Sequence, residues 1–451
     1  MKKTVLVPIL AAMAVLCSGC GREIEDNREI KRSVTDEMTT GDETLTDEET
    51  TAEETLTTTA VTTTTAVTTT KATTTKAAST TAPKPVPKPE EVNITYYTDH
   101  EVYSKVPLKD MIVESNAELK EPDKLLDTSV LGDHEVKIKC IYDGAECEKT
   151  LNYTVRDTTP PTVLYSGEVT NITTGSYFDI NSCIGYGDNY DSSPEMTYEG
   201  YVDTSAEGSY PLTVYVTDMF GNSTSWDMTV NVYDYLPASG EVTPRIGFGD
   251  FVDTYAGEGR HFGIDVSRWQ GDIDFNAVKA AGCEFVIMRI GIYSGGELSI
   301  DRYYYNNIGN AKAAGLKVGV YFYSTDNNEA DVRAHAKWVA ETLDGEELDF
   351  PVAFDWENFE NYQNYGMSIH DLNCFYQDFK EELKKSGYDT MLYGSKNYLE
   401  NFWEYPDDEY VWLAHYVSDT TYPGKYRIWQ RCGWGLINGI YGDVDLDILY
   451  E

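Results

Sequence analysis

The residues that suggest chemistry most directly are Asp355 and Glu357, which flank Trp356 at the end of the apolar run 350–354. On a β-strand, side chains alternate, so two carboxylates separated by one residue point to the same side. A neighbouring like charge raises the pKa of a carboxyl group, and an acid that stays protonated near neutral pH can act as a general acid. Such a pair suits glycosidic bond cleavage. Solvated strand ends also produce such triplets by chance. The rest of the C-terminal segment is therefore needed to decide whether this pair is catalytic.

Short apolar strands alternate with helical stretches from His261 onward. The predicted strands cover 262–264, 285–290, 318–323, 352–354, 390–393, 411–416, 427–430 and 444–449. The predicted helices cover 275–281, 305–314, 329–343 and 369–385. Such alternation implies a parallel sheet with right-handed crossovers. We therefore expect a closed α/β barrel of the (β/α)5β3 type, whose last third lacks outer helices.

Four acidic residues fall at the ends of these strands. In parallel barrels the active site lies at the C-terminal ends of the strands. Asp265 follows the first strand, Asp355 and Glu357 end the fourth, and Asp445 lies at the eighth. Closing the barrel makes the first and eighth strands neighbours, so these carboxylates should converge on one mouth. Stability does not explain such a cluster, because like charges repel.

The segment from Gly263 to Glu451 resembles the glycoside hydrolase family 25 lysozymes, the N,O-diacetylmuramidase group. The stretches that carry the resemblance follow the family's order along the chain. They are 263–271, 273–275, 280–282, 314–323, Asp355-Trp356-Glu357, Trp412-Leu413-Ala414, Trp429-Gln430 and Val444-Asp445-Leu446-Asp447. Cys432 departs from the pattern, since it stands near a position where the family often has an aromatic residue.

The resemblance implies roles for the acidic residues. Glu357 would be the general acid that protonates the leaving glycosidic oxygen. Asp355 would orient and polarise the 2-acetamido group of the substrate if the reaction is assisted by that neighbouring group. Asp265 is the alternative nucleophile or base, and Asp445 would tune the others electrostatically. Neighbouring-group, nucleophile and inverting mechanisms all remain open at this stage.

Aromatic residues on strands near the predicted mouth are candidates for stacking on sugar rings, with core packing as the alternative. They are Tyr321, Tyr323, Trp412, Tyr416 and Trp429. The chain lacks the H-E-x-x-H and G-x-S-x-G motifs, so zinc peptidase and serine hydrolase readings have no support. We expect no metal and no cofactor.

The N-terminal part reads as an export signal and a tether. Residues 1–20 combine Lys2 and Lys3 with an apolar stretch and a small-residue processing site before Cys20. That site resembles a bacterial lipoprotein box and would make Cys20 the lipidated residue, with ordinary secretion as the alternative. Residues 21–89 are acidic, then Thr-rich, then Pro-rich, which predicts a disordered linker.

Residues 90–157 and 158–234 contain two related units of short alternating strands with turns between them. This pattern predicts two small β-sandwiches, and the junction between them resembles that of tandem bacterial immunoglobulin-like domains. Cys140 and Cys147 flank a turn, so a disulfide across that hairpin is expected in an exported protein. Residues 235–260 are predicted to be a linker, and 261–451 the catalytic domain.

The formal net charge of −41 argues against nucleic acid as a partner. The sequence as a whole predicts an exported, monomeric peptidoglycan hydrolase that cleaves the β-1,4 bond between N-acetylmuramic acid and N-acetylglucosamine. Its partners would be glycan strands and, through a lipid on Cys20, a membrane. Two alternatives stay open: a non-catalytic glycan-binding surface protein, and a hydrolase of another amino-sugar polymer such as chitin.

Overall fold

A computed structural model describes residues 91–167, 169–236 and 244–451 of the chain. The predicted signal at 1–20, with Cys20, and the predicted tether at 21–89 lie outside the described residues. No helix in the described ranges is long and apolar enough to cross a membrane.

The first β-rich domain pairs a four-stranded sheet with a two-stranded one. Its elements are β1 (Ile94–Tyr96), β2 (Asp99–Glu101), α1 (Leu108–Met111), β3 (Ile112–Ser115), β4 (Glu118–Leu119), β5 (Gly132–Tyr142) and β6 (Ala145–Arg156). The sheets have the orders β2-β6-β5-β4 and β1-β3. Along β5 and β6 buried and exposed residues alternate, because one face covers the core. Cys140 and Cys147 are directly opposite in this hairpin and form a disulfide, with 5.0 Å between their Cα atoms.

The second β-rich domain has the same construction. Its strands are β7 (Thr162–Ser166), β8 (Val169–Thr173), β9 (Ile184–Gly187), β10 (Glu195–Glu199), β11 (Gly208–Thr217) and β12 (Ser223–Tyr233). They form a four-stranded sheet, β10-β11-β12-β8, and the pair β7-β9. Its core is made by alternate residues of β11 and β12, such as Val214 and Val230, which are fully buried.

The C-terminal part contains the sheet that positions the acidic residues. Its strands are β13 (Ile246–Gly247), β14 (Arg260–Val266), β15 (Phe285–Ser294), β16 (Glu297–Ile300), β17 (Lys317–Ser324), β18 (Val352–Asp355), β19 (Thr390–Ser395), β20 (Val411–Ala414), β21 (Ile428–Leu436) and β22 (Val444–Tyr450). Its helices are α2 (Phe248–Tyr255), α3 (Phe275–Ala280), α4 (Tyr304–Ala313), α5 (Glu329–Leu343), α6 (Ile369–Lys385) and α7 (Lys396–Asn401). Short 3₁₀ helices span Arg268–Gln270 and Phe359–Asn364.

Eight of these strands close into a ring. The order is β21-β20-β19-β18-β17-β15-β14-β22, and β22 also pairs with β21. Within the ring the other seven strands are parallel to their neighbours, whereas β22 is antiparallel to both β14 and β21. That reversal was not anticipated from the sequence. It follows from the short connection between β21 and β22, because a parallel return needs a longer crossover.

Helix boundaries follow local signals. Asn328 caps α5, and Ser368 with Asp371 forms a capping box at the start of α6. The apolar face of α6 packs on the outside of the ring and includes Phe379, which is fully buried. A separate set of apolar side chains fills the inside of the ring. Those on the parallel strands include Phe285, Ile287, Ala353, Met391, Trp412 and Ile428.

Residues 246–255, which the sequence placed in a linker, form β13 and α2. Phe248 and Phe251 of α2 are 2% and 0% exposed and belong to the core outside the ring. The glycine and proline residues of this stretch suggested a linker, but two aromatic residues three apart bury one face of a short helix. The barrel domain therefore includes this segment.

The second β-rich domain packs on the barrel beside the acidic triplet. Gln363, in the 3₁₀ helix after Glu357, donates hydrogen bonds from Nε2 to the carbonyl oxygens of Asn181 (3.2 Å) and Ile184 (3.1 Å). An added Cβ at Gly185 would overlap the carbonyl oxygen of Phe359, so the two backbones approach closely. Tertiary contact therefore joins two domains that the sequence presents as separate units.

Candidate active site

The Asp355-Trp356-Glu357 triplet is held in place by its central residue. Trp356 is 1% exposed and donates from Nε1 to the carbonyl oxygen of Asp326 at 3.0 Å. Its ring makes edge-on contacts with aromatic residues of the 3₁₀ helix that follows. Because side chains alternate, anchoring Trp356 in the outer core directs Asp355 and Glu357 towards the inside of the ring. Asp355 is buried, while Glu357 keeps partial exposure.

The register between β14 and β22 brings the other acidic residues together. Asp265 lies directly opposite Asp445, and Gly263 lies opposite Asp447. Residues two apart on a strand share a face, so Asp445 and Asp447 point to the same side as Asp265. Four carboxylates anticipated from the sequence therefore converge at this end of the ring, and Asp447 adds a fifth.

A hydrogen-bonded layer lies among these acids. Gln430 donates from Nε2 to Oδ2 of Asp265 at 2.8 Å. Its Oε1 accepts from the hydroxyl groups of Tyr393 (2.9 Å) and Tyr416 (2.8 Å). Both ends of the amide are therefore occupied, which fixes its orientation and that of the Asp265 carboxyl group.

Burial sets the protonation of the acids on β14 and β22. The pKa of Asp265 is raised well above its usual value, first by burial and then by Asp447, with a further contribution from Glu357. Burial, followed by the charges of Asp265 and Glu357, raises the pKa of Asp445 in the same way. Burial also raises the pKa of Asp447 to about 8, although a hydrogen bond from Trp412 opposes this shift. A raised pKa favours the protonated form of each of these groups, because an unpaired buried charge is costly.

Several residues around these acids were not assigned roles from the sequence, and Tyr393 is one of them. Asp447 accepts from Nε1 of Trp412 at 2.8 Å, and its position two residues after Asp445 was a usable signal. Gln430 was noted only as part of a motif, and its bond to Asp265 joins residues 165 apart. Arg289, in the middle of β15, is 4% exposed, and its Nε lies 3.0 Å from Oδ2 of Asp301. Its place within the apolar run 285–290 was the available signal.

The candidate sugar-binding aromatics separate into two groups. Tyr321 and Tyr416 are half-buried and pack against the apolar side chains inside the ring. Tyr323 is also half-buried and follows Tyr321 by two residues on β17, so it shares the same face of that strand. Trp412 is also on the inner side, but it is 2% exposed. Trp429 is not brought to the mouth.

The side chain of Trp429 lies on the outer side of the ring, because its neighbour Gln430 occupies the inner side. It donates from Nε1 to the carbonyl oxygen of His415 at 2.8 Å and meets the ring of Tyr255 edge-on. Cys432 is fully buried in the same outer core, so the change at this position does not alter the mouth.

Part of the chain is similar to known proteins. Residues 264–440 match the model of glycosyl hydrolases family 25. The chain is 34% identical over 191 residues to the autolytic lysozyme of Clostridium acetobutylicum, a match that covers 42% of this chain and 56% of that protein. It is 30% identical over 196 residues to lysozyme M1 of Streptomyces globisporus, covering 41% of this chain and 65% of that protein.

Less than two thirds of either relative is therefore spanned. Among solved structures, the bacterial lysozyme from Streptomyces coelicolor is 25% identical with a TM-score of 0.36, covering 42% of this chain and 90% of that one. The match to the family model, residues 264–440, falls on the segment that forms the ring. The C-terminal part of this chain is a glycosyl hydrolase family 25 domain.

Proposed function

We propose that this protein is a muramidase that cleaves the β-1,4 bond between N-acetylmuramic acid and N-acetylglucosamine in peptidoglycan. The observation that carries the proposal is the convergence of Asp355, Glu357, Asp265 and Asp445 at one end of a closed ring. Membership of family 25 and similarity to two lysozymes support the same substrate class.

Glu357 is the proposed general acid. It is more exposed than Asp355, so it can reach a glycosidic oxygen at the mouth. It lies close enough to Asp265 and Asp445 to influence both carboxyl groups, so it belongs to the same cluster of acids. Proton transfer from Glu357 to the leaving oxygen would accompany cleavage of the bond to C1 of the muramic acid ring.

Asp355 is proposed to orient the 2-acetamido group, whose carbonyl oxygen attacks C1 and forms an oxazolinium ion. Water then opens that ion, with Glu357 acting as the base. The environment of Asp265 favours this route over a covalent intermediate on Asp265. Its carboxyl group is held by Gln430, and burial together with Asp447 keeps its pKa well above the usual range. A protonated carboxyl group is a poor nucleophile.

The inner aromatic residues narrow the proposed sugar-binding set. Tyr321, Tyr323 and Tyr416 are placed to contact a glycan at the mouth, whereas Trp412 supports the site through its bond to Asp447. Trp429 is omitted, because its ring packs in the outer core. Asp445 is proposed to tune the pKa values of the other acids electrostatically.

The remaining assignments belong to the same proposal. The two β-rich domains are immunoglobulin-like spacers, and the ring is a (β/α)5β3 barrel. The chain is exported and works at the cell surface as a monomer, with Cys20 as the lipid-anchored residue. The alternating strands of the two domains and the apolar N-terminal segment support these points.

The test is digestion of purified peptidoglycan by the full chain. New reducing ends are labelled by borohydride reduction and identified by mass spectrometry. Reduced muramic acid ends are expected from the wild-type protein and from Glu360→Gln, which changes an exposed acid three residues after Glu357. Glucosamine ends, or cleavage of chitin alone, would contradict the proposal, and binding without cleavage would favour the glycan-binding alternative.

A further inference from the structure

Three aspartates meet far along the chain from the acidic triplet. Asp157 directly follows β6, Asp188 directly follows β9, and Asp218 directly follows β11. One carboxylate oxygen of each lies within 4.8 Å of the other two. The residues are 6%, 1% and 6% exposed, so the cluster is buried. Among the described residues this is the one group of three acidic, histidine or cysteine side chains close enough to share a metal ion.

Several oxygens of this cluster are buried without a hydrogen bond. Neither carboxylate oxygen of Asp157 has a partner with good hydrogen-bond geometry among the described residues, although the backbone N–H of Thr159 lies near that carboxylate. Oδ2 of Asp188 also has no partner among the described residues. Oδ1 of Asp188 and Oδ1 of Asp218 each accept from two backbone N–H groups of their own loops, which fixes both carboxylates. Buried carboxylates of native proteins are normally paired or bound to a metal.

The surroundings contribute further negative charge. Glu101 lies near enough to affect Asp157, and its Oε2 accepts from the backbone N–H of Thr158 at 3.0 Å. The charged neighbours of the Asp157 carboxylate are Asp188, Asp218 and Glu101, which are all acidic. Placing these carboxylates together is therefore unfavourable unless a positive charge joins them.

We propose that Asp157, Asp188 and Asp218 bind a calcium ion. The donors are all carboxylate oxygens, which favours a hard cation and gives no preference for zinc, whose structural sites use thiolates and imidazoles. Calcium accepts six to eight oxygens in flexible geometry, whereas magnesium keeps several waters. The adjacent Asn189 also has a buried side-chain oxygen without a partner among the described residues, which offers a further neutral ligand.

The ion would join the two β-rich domains where they contact the barrel. Asp157 begins the connection between those domains, and the carbonyl oxygen of Asp188 accepts from the backbone N–H of Ile369 at 2.8 Å. Ile369 is the first residue of α6. Beside it, the ring of His370 stacks on Tyr103 of the first domain with 3.5 Å between ring centres. Calcium would thus fix the orientation of both β-rich domains relative to the catalytic domain.

Binding is measured on the full chain after chelation and dialysis. Calorimetric titration with calcium chloride should show one ion per chain, with a dissociation constant on the order of 10⁻⁴ M, as in extracellular calcium modules. Magnesium at the same concentration should compete weakly. Millimolar calcium should raise the melting temperature of the β-rich domains by roughly 5 °C, since ligands that bind only the native state stabilise it.

Terbium provides an independent probe of position. Tyr190 lies two residues after Asp188, and its backbone N–H is bonded to that carboxylate at 2.9 Å. Excitation of tyrosine should therefore sensitise terbium luminescence, and calcium should quench it by displacement. Tyr190→Phe should lower the luminescence while calcium affinity stays unchanged.

Two substitutions that replace a carboxylate by an amide of similar size test the proposed calcium site. Asp157→Asn and Asp218→Asn keep the side-chain shape and should weaken calcium affinity at least tenfold, with loss of the thermal shift. Asp227→Asn is the matched control, because Asp227 is exposed on β12 and only accepts from Thr213. Its affinity and thermal shift should equal those of the wild type.

The alternative to calcium is that a proton neutralises the cluster of three aspartates. If a proton alone satisfies it, calcium will change neither the heat signal nor the melting temperature, and Asp157→Asn will melt at or above the wild-type temperature in chelator. That result would overturn the calcium site, as would equal calcium affinity in the wild type and Asp157→Asn. Muramidase activity on soluble fragments should not depend on calcium, so failure here is distinct from failure of the proposed function.

Discussion

Asp447→Asn tests whether the acids inside the ring hold protons near neutral pH. Asp447 is fully buried, and its pKa is raised from 3.8 to about 8. In the unfolded chain the same group loses its proton near its ordinary value. Between these two values the native state binds more protons than the unfolded state. The stability from this group is therefore complete below about pH 4 and falls as the pH rises towards 8.

The magnitude follows from the size of the shift. One pKa unit corresponds to about 1.4 kcal/mol, so the native state gives up as much as roughly 4 kcal/mol between pH 4 and pH 7 through Asp447. Asparagine stays neutral throughout this range. Its Oδ1 can still accept from Nε1 of Trp412, and its amide group can donate to Asp265. We expect Asp447→Asn to gain stability relative to the wild type as the pH rises, by up to about 1.4 kcal/mol per pH unit.

The assay is denaturant unfolding from pH 4 to pH 8, followed by tryptophan fluorescence. Seven of the eight tryptophans lie after residue 260, so this signal reports mainly on the barrel. Asp272→Asn, which removes an exposed carboxyl group, should leave the pH dependence unchanged. Parallel stability curves for the wild type and Asp447→Asn would refute the reasoning, because they would show that Asp447 binds the same number of protons in both states.

Three further outcomes are expected. Glu357→Gln keeps the shape of the side chain but supplies no proton, so turnover should fall by about 10²–10⁴-fold while binding of glycan fragments is retained, and more than a tenth of wild-type turnover would exclude Glu357 as the acid. A chain of residues 244–451 should fold and cleave soluble fragments, whereas 256–451 should be insoluble because it lacks buried Phe251; equal behaviour of the two truncations would show that α2 is dispensable. Asp355→Asn should lower kcat more than it changes KM, and thiazoline inhibition without a covalent adduct should mark the assisted route; a stable fluorosugar adduct on Asp265 would instead make that residue the nucleophile.

Local sequence patterns were enough to predict most elements of the barrel domain. The predicted helices at 329–343 and 369–385 coincide with α5 and α6, because capping residues and apolar periodicity are encoded within each segment. Alternation along a strand also sufficed to put Asp355 and Glu357 on one face. The hairpin that joins Cys140 to Cys147 was predictable for the same reason, since its two strands are joined by a tight turn.

Tertiary structure decided everything that depends on pairing between distant segments. The antiparallel register of β22 aligns Asp445 with Asp265, and only that register brings Asp447 beside Gln430. Trp429 was predicted to bind sugar because it is aromatic and lies on a strand near the mouth. In the closed ring its side chain faces the outer core, because the neighbouring Gln430 faces the inside. The sequence alone specifies which residues can share a face of a strand or helix. The closed sheet and the packing of the domains determine which faces meet and which carboxylates become buried.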